Sequence, residues 1–219
     1  MTRTLPLLAL VSVLAAGCSP RNGIAVVSNE GGDCEQSAWP PTPDSFLDYV
    51  GDGAVVGEQI GDWSLLDQHG CETDATQFLG AVTMVDISSV WCGPCNEAAS
   101  TSMEVFEAIR AENRATWLIT LLVQDEFAGP ARVSDAEEWV ENYDITYPVV
   151  VDDAEAVRLD YGVTAFPVFL FVAPDGTVFE RIEGLAQDAE ILDLMEFGLE
   201  EYGSDLRPED EIPEPHEVE

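Results

Sequence analysis

Residues 81–95 have the sequence AVTMVDISSVWCGPC. The first eight are mostly apolar and rich in β-branched side chains, which predicts a buried strand over residues 81–88. From Gly93 onward, apolar side chains recur at helical spacing, so we predict that a helix begins there. The stretch therefore predicts a strand and a helix joined by a turn that carries Cys92, with Cys95 in the first turn of the helix.

The spacing and position of the two cysteines favour redox chemistry. Free N–H groups and the dipole at a helix N-terminus stabilise a thiolate, which is the nucleophile in disulfide exchange. We expect Cys92 to attack a substrate disulfide and Cys95, one turn further in, to resolve the mixed disulfide. Gly93 is expected to let the turn close, and Pro94 suits a first-turn position whose N–H has no partner.

Two other uses of a Cys-x-x-Cys pair have to be weighed. Cys92 and Cys95 could form half of a zinc site, but no second Cys or His pair has suitable spacing, and His69 and His216 are isolated. They could also form a structural disulfide that never turns over. The redox interpretation requires no metal and no organic cofactor, but it does require a thiol donor to recharge the pair.

Strand-like and helix-like segments alternate on both sides of this motif. Further strands are predicted at residues 117–123, 148–151, 168–172 and 177–182, and helices at 134–143, 153–161 and 187–202. Ser134 is a candidate helix N-cap, and a Pro174-Asp175-Gly176 turn joins the last two strands into a hairpin. The order predicts an α/β domain over residues 57–202, with a central mixed β-sheet flanked by helices.

The segment Trp91-Cys92-Gly93-Pro94-Cys95 resembles the active-site motif of the thioredoxin family, residue for residue. The resemblance implies a thioredoxin fold, with Trp91, Gly93 and Pro94 shaping the site. Asp86, six residues before Cys92, corresponds to the family's buried acid, which exchanges protons with the resolving thiol. The alternative for Asp86 is an ordinary carboxylate at the end of a strand.

Phe166-Pro167 corresponds to the family's cis-proline loop, which faces the disulfide and docks the substrate backbone. The opening at residues 62–67 and an extra helix and strand between 134 and 151 resemble the membrane-anchored branch of the family. This resemblance covers roughly residues 58–202. Members of that branch reduce specific disulfides in the envelope, for example during cytochrome c maturation.

Several residues depart from the thioredoxin pattern. Asn96 stands where the family usually has a base, Ser88 replaces an aromatic residue, and Glu97 lies beside the site. The chain contains no lysine that could pair with Asp86. These features predict a higher pKa for the Cys92 thiol than in thioredoxin, and therefore a reductase rather than a strong oxidase.

The N-terminus resembles a bacterial lipoprotein signal. Residues 5–16 form an apolar run of 12 residues, too short to span a bilayer but typical of a signal peptide. The following Gly17-Cys18 resembles the end of a lipobox, which implies cleavage before Cys18 and acylation of its thiol. The alternative is an ordinary signal peptide that leaves Cys18 free. Ser19 in place of aspartate favours the outer membrane, by resemblance to enterobacterial sorting.

These features divide the chain into four parts. We predict a lipoprotein signal peptide at residues 1–17, a tether at 18–56, the thioredoxin-like domain at 57–202 and an acidic disordered tail at 203–219. The domain is expected in the cell envelope, in the periplasm or outside. The two remaining cysteines, Cys34 and Cys71, predict a structural disulfide in an exported protein. Two independent thiols or a second exchange pair are the alternatives.

The charge of the chain limits its partners. The sequence has 43 acidic residues against 8 basic ones, a formal net charge of −35. Such a field repels nucleic acid and anionic surfaces. From the charge we expect no nucleic-acid partner. From the signal sequence and the cysteine pair we expect a monomer that is held to a membrane by its lipid. It would exchange electrons with exported protein disulfides or thiols and with an upstream thiol donor.

Two other classes of function compete with the oxidoreductase. In the first, the fold is a binding or chaperone-like scaffold whose disulfide stays closed. In the second, the protein is a peroxidase of related fold, which needs an isolated peroxidatic cysteine in a Thr/Pro-containing setting with an arginine beside it. The sequence shows no such arrangement, so we disfavour the peroxidase.

Overall fold

The fold is built on a mixed β-sheet whose central strand leads into the cysteine motif. The computed structural model describes residues 24–25, 38–112 and 116–203. The strands are β1 Ile24–Ala25, β2 Trp63–Asp67, β3 Glu72–Asp74, β4 Val82–Ser89, β5 Thr116–Gln124, β6 Val149–Val151, β7 Val168–Val172 and β8 Val178–Glu183. The helices are α1 Gly93–Glu112, α2 Val133–Tyr143, α3 Ala156–Asp160 and α4 Asp188–Tyr202.

The strands lie in the order β1-β2-β6-β5-β4-β7-β8, and β3 pairs with β2. β4 pairs in parallel with β5 and antiparallel with β7. Every residue of β4 is buried, which explains its nearly continuous apolar run, since a central strand covered on both faces has no solvent side. The predicted α/β fold with a central mixed sheet is confirmed.

Each face of the sheet has its own hydrophobic core. One core contains Met84 of β4 and Cys92 together with residues of α1, α2 and α4, among them Cys95. The other contains Val85 and Ile87 of β4 and is covered by α3 and by the segment before β2. Alternate residues of β4 therefore enter opposite cores, as the two-residue period of a strand requires. Asp86 shares the parity of Met84 and points toward α1.

The predicted tether is wrong over its described part. Residues 38–56 pack on the domain, with Trp39, Phe46 and Ala54 buried. The Trp39 indole N–H donates to the Asp67 carboxylate at 2.7 Å, and the Gln77 side-chain amide donates to the Pro40 carbonyl at 2.8 Å. The folded unit thus extends at least to residue 38. The amino-acid composition did not reveal this folded segment, because its few buried aromatic residues lie among many Pro, Gly and Ser residues.

Three further details differ from the sequence predictions. Helix α2 begins at Val133 with Arg132 as its N-cap residue, so Ser134 lies inside the helix. Helix α3 covers only Ala156–Asp160 of the predicted 153–161, because Asp152 and the residues after it form a turn first. The antiparallel pair β2–β3 was not predicted.

Among the described residues, no helix is both long enough and apolar enough to cross a membrane.

Candidate active site

Cys92 and Cys95 form a disulfide at the start of α1, with their Cα atoms 5.2 Å apart. Cys92 is 3% exposed and Cys95 is fully buried, so the outer cysteine is the one predicted to be the nucleophile. The backbone N–H of Cys95 donates to the Cys92 sulfur at 3.2 Å. This is the interaction expected of a helix N-terminus that stabilises a thiolate.

The predicted role of Gly93 in closing the turn is wrong. Gly93 is the first residue of α1, its φ angle is not positive, and a Cβ atom placed on it would meet nothing within 4 Å. A side chain would therefore fit at this position, and the turn does not require glycine. Pro94 is the second residue of the helix, as predicted, where a missing N–H costs nothing.

The Phe166–Pro167 segment lies at the same edge of the sheet as the cysteines. Because β4 and β7 are antiparallel, with Ile87 opposite Val168, the end of β4 and the start of β7 meet there. The Phe166–Pro167 peptide bond is cis, as the resemblance implied. The ring of Trp91, which is 50% exposed, meets the Phe166 ring edge to face at 6.2 Å. Trp91 and Phe166 thus form adjoining walls of the site.

Asp86 is a buried acid, as the resemblance implied. It is 6% exposed on β4, and burial raises the pKa of its carboxyl from 3.8 to about 7. The Ser88 hydroxyl donates to it at 2.7 Å, and this bond, with one from Thr120, holds the pKa below what burial alone would give. The replacement of an aromatic by Ser88 therefore supplies a partner for the acid. Near neutral pH, Asp86 can both accept and release a proton.

A small cavity of about 10 Å³ separates Asp86 from α1 and α4. Ala98, one turn after Cys95, lines it beside Asp86, and so do Ser102 and the buried Tyr147. Burial raises the pKa of the Tyr147 hydroxyl, and the charge of Asp86 adds to that effect. The volume is about that needed for one water molecule. The acid therefore has polar neighbours on the side that faces the cysteine helix.

Asn96 and Tyr143 are site residues whose role the sequence did not reveal. The Asn96 amide donates to the carbonyls of Val90 and Cys92, at 2.9 and 2.6 Å. The Tyr143 hydroxyl of α2 donates to the Asn96 amide oxygen at 2.6 Å. Together they hold the backbone on both sides of Trp91. The sequence marked Asn96 only as a missing base and gave no sign that Tyr143 would reach it.

The other predicted cysteines are placed only in part. Cys71 is 4% exposed and its sulfur is disulfide-bonded. Cys34, its predicted partner, and Cys18, the predicted lipidation site, lie outside the described residues. The 34–71 pairing and the acylation of Cys18 therefore stay predictions.

Similar proteins are named as thiol-disulfide oxidoreductases. The thiol-disulfide oxidoreductase ResA of Geobacillus thermodenitrificans is 23% identical over 142 residues, which are 65% of this chain and 77% of that protein. ResA of Bacillus thuringiensis subsp. konkukian is 21% identical over 129 residues, 59% of this chain and 70% of that protein. The predicted enzyme class, thiol–disulfide oxidoreductase, is confirmed.

Solved structures confirm the fold. A secreted thiol-disulfide isomerase from Corynebacterium glutamicum superposes with a TM-score of 0.58 at 15% identity, covering 66% of this chain and 86% of that one. A thiol:disulfide interchange protein of the thioredoxin family from Chlorobium tepidum gives 0.54 at 17% identity, covering 69% and 97%. A family model, that of AhpC/TSA, matches residues 56–181, more than half of the sequence. The chain, with its thioredoxin-like fold and paired cysteines, belongs to the AhpC/TSA family.

Proposed function

We propose that the protein is a lipid-anchored reductase that opens disulfides of exported proteins. The observation that carries the proposal is the Cys92–Cys95 disulfide at the start of α1, with the Cys95 N–H on the Cys92 sulfur. The buried acid Asp86 lies beneath the same helix. A nucleophile, a resolving thiol and a proton acceptor are thus supplied by one strand–helix unit.

The exchange proceeds in two balanced steps. The Cys92 thiolate attacks one sulfur of the substrate disulfide, whose S–S bond breaks as a mixed disulfide forms and the first substrate thiolate leaves. Cys95 gives its proton to Asp86, and its thiolate attacks the Cys92 sulfur. The Cys92–Cys95 disulfide forms and the second substrate thiolate leaves. The substrate has gained two electrons, and a thiol donor must return two electrons to the pair.

The reductase direction rests on the charge around the nucleophile. The chain carries a net charge of −35, and Glu97, the fifth residue of α1, is exposed. Negative charge disfavours a thiolate and so raises the pKa of a cysteine. A thiol of higher pKa gives a disulfide that is a weaker oxidant. These charges support a pair that donates electrons.

The place of action rests on the N-terminal sequence. Residues 5–16 and Gly17-Cys18 favour export followed by acylation of Cys18, and several acyl chains give stable anchoring where one does not. One structural neighbour is itself described as secreted. We propose a monomer held to a bacterial membrane by this lipid, with Pro167 and Phe166 docking extended segments of exported proteins.

Turnover of a disulfide-linked peptide by the full-length chain, with a dithiol as electron donor, tests this function. We expect C92S to fall to the uncatalysed rate. We expect C95S to accumulate a mixed disulfide between Cys92 and the peptide, visible on a non-reducing gel. The C92S variant, in which this thiol is absent, is the matched control for that trap. Binding of the peptide without turnover by the wild type would instead indicate the scaffold.

A further inference from the structure

A continuous run of polar contacts leads from the cysteine motif to the loop before β7. The Trp91 indole N–H donates to the Gln124 side-chain oxygen at 2.9 Å, and the Gln124 amide donates to the Glu155 carboxylate at 3.3 Å. The same Glu155 oxygen pairs with the Arg158 guanidinium at 2.6 Å. Arg158 donates in turn to the Val163 carbonyl at 3.1 Å. We call these four side chains the Trp91–Arg158 relay.

The relay joins two parts of the chain that also meet at the site. At one end, Trp91 precedes the nucleophile Cys92. At the other, Val163 lies three residues before Phe166, whose ring contacts Trp91 at 6.2 Å. A second arginine, Arg181, donates to the Tyr161 carbonyl at 2.9 Å and holds the start of the same loop. Trp91 is therefore connected to the loop before β7 in two ways. Its ring contacts Phe166 directly, and the relay reaches the carbonyl of Val163.

The Glu155 side chain contacts Gln124 and Arg158, and its backbone adopts an uncommon conformation. Its φ angle is +53°, a left-handed conformation that is uncommon and costly for a residue other than glycine. It occupies the N-cap position of α3, yet its side chain caps no helix N–H. Its side chain and that of Arg158 are each only 23% exposed, so water screens the pair incompletely.

We propose that Gln124, Glu155 and Arg158 are positioning residues that set the spacing between Trp91 and the Phe166–Pro167 loop. This inference rests on the proposed function and concerns which disulfides the site prefers. An extended peptide must fit between both walls, whereas a small symmetrical disulfide needs to reach only the Cys92 sulfur. The relay therefore favours disulfides carried on extended protein segments and has little effect on small ones.

The substitution Gln124→Glu breaks one link and keeps the other. A carboxylate at residue 124 still accepts from the Trp91 N–H, but it cannot donate to Glu155 and it adds a like charge beside it. We expect the KM for a disulfide-linked peptide to rise about three- to tenfold, which lies within the range for the net loss of one ordinary hydrogen bond. The added charge also acts on the Cys92 thiolate, but it does so with either substrate. We therefore expect any change in the rate with 2-hydroxyethyl disulfide to be shared by the peptide, and the increase in KM to appear with the peptide alone.

The double variant Q124E/E155Q provides the rescue. The amide introduced at position 155 can donate to the carboxylate introduced at position 124, which restores the link with reversed polarity. The amide oxygen at position 155 can still accept from Arg158, although the ion pair of that arginine with Glu155 is lost. Part of the increase in the peptide KM should therefore be reversed. As a matched control, E72Q changes a carboxylate of β3 that accepts from Ser64 at 2.8 Å, at the opposite end of the sheet from β7. We expect E72Q to behave as wild type with both substrates.

The possible outcomes distinguish a failure of the positioning role from a failure of the proposed oxidoreductase function. An unchanged peptide KM in Q124E would overturn the positioning role while leaving the oxidoreductase intact. Equal losses with peptide and small disulfide, with no recovery in the double variant, would also overturn it, because a general structural defect acts on both. A wild-type chain that turns over neither disulfide would refute the proposed function and the inference with it.

Discussion

Asp86 and Asp152 are both buried aspartates of the same sheet region, and burial raises the pKa of each carboxyl, yet their hydrogen-bond donors differ. Asp152, just after β6, accepts from the backbone N–H groups of Ala156 and Arg158, both at 2.8 Å. Asp86, in β4, accepts from the hydroxyl of Ser88 at 2.7 Å. Asp152 fixes the start of α3 through backbone N–H groups, whereas Asp86 accepts from a side-chain hydroxyl that can rotate.

The difference shows that burial alone does not identify a catalytic acid. Backbone N–H groups only donate, so Asp152 serves best as a fixed acceptor with both oxygens engaged. A hydroxyl can donate or accept, so Ser88 accommodates Asp86 with or without its proton. Asp86 also borders the cavity beneath α1. These features support the proposed proton exchange at Asp86 and indicate a structural role for Asp152.

The largest expected effect is that of D86N on stability. The pKa of Asp86 is raised from 3.8 to about 7 in the folded chain. Between about pH 4 and pH 7 the folded chain therefore keeps a proton that the unfolded chain has released, so the free energy of unfolding falls as pH rises through this window. The amide that replaces the carboxyl group in this variant carries no charge and removes that fall. At pH 8 we expect D86N to be more stable than wild type by a few kcal/mol, since each pKa unit corresponds to about 1.4 kcal/mol.

Denaturant unfolding of the oxidised chains at pH 4.5 and pH 8 measures this effect. D193N, which changes an exposed acid of α4, alters the net charge equally and is the control. A gain in D193N as large as that in D86N would assign the effect to net charge instead. Disulfide exchange by D86N should be slower than by wild type near pH 7, because the acceptor for the Cys95 proton is gone.

A smaller effect of opposite sign is expected for D152N. The amide offers one acceptor oxygen where the carboxylate offers two, and its NH2 group would face the backbone N–H of Ala156 or Arg158. Removal of the buried charge favours the variant at pH 8, but two backbone N–H groups lose a carboxylate acceptor, and we expect that cost to be larger. The expected net loss in the free energy of unfolding is about 1–3 kcal/mol, the usual cost of an unsatisfied donor. Exchange activity per folded molecule should match wild type. A gain in stability for D152N, like that expected for D86N, would contradict the structural role of Asp152.

The sequence predicted the fold well wherever a local pattern was strong. β4, β7 and β8 lie within one residue of their predicted bounds, and α1 begins at Gly93, as predicted. The segment at residues 38–56 and the β2–β3 pair were missed. Contacts across the chain, such as that from Trp39 to Asp67, stabilise these parts, and no local period reveals such contacts.

The site was predictable only where spacing carried information. Cys92, Cys95, Asp86 and Pro167 lie at fixed distances from a recognisable motif. The Trp91–Arg158 relay does not, because its members come from a turn, a strand end and a short helix that only folding brings together. Polar contacts between distant loops leave no periodic trace. The redox residues could therefore be predicted from the sequence, whereas the contacts of the relay could not.

The reduction potential of the Cys92–Cys95 pair tests the central claim most directly. The full-length chain is equilibrated in dithiol buffers of graded potential, and the fraction of reduced pair is read from the mass added by a thiol alkylating reagent. A reductase predicts a value near that of thioredoxin, about −270 mV. A value near −120 mV, as in a strong oxidant, would contradict the proposed direction of electron flow. A pair that no buffer reduces would contradict redox function altogether.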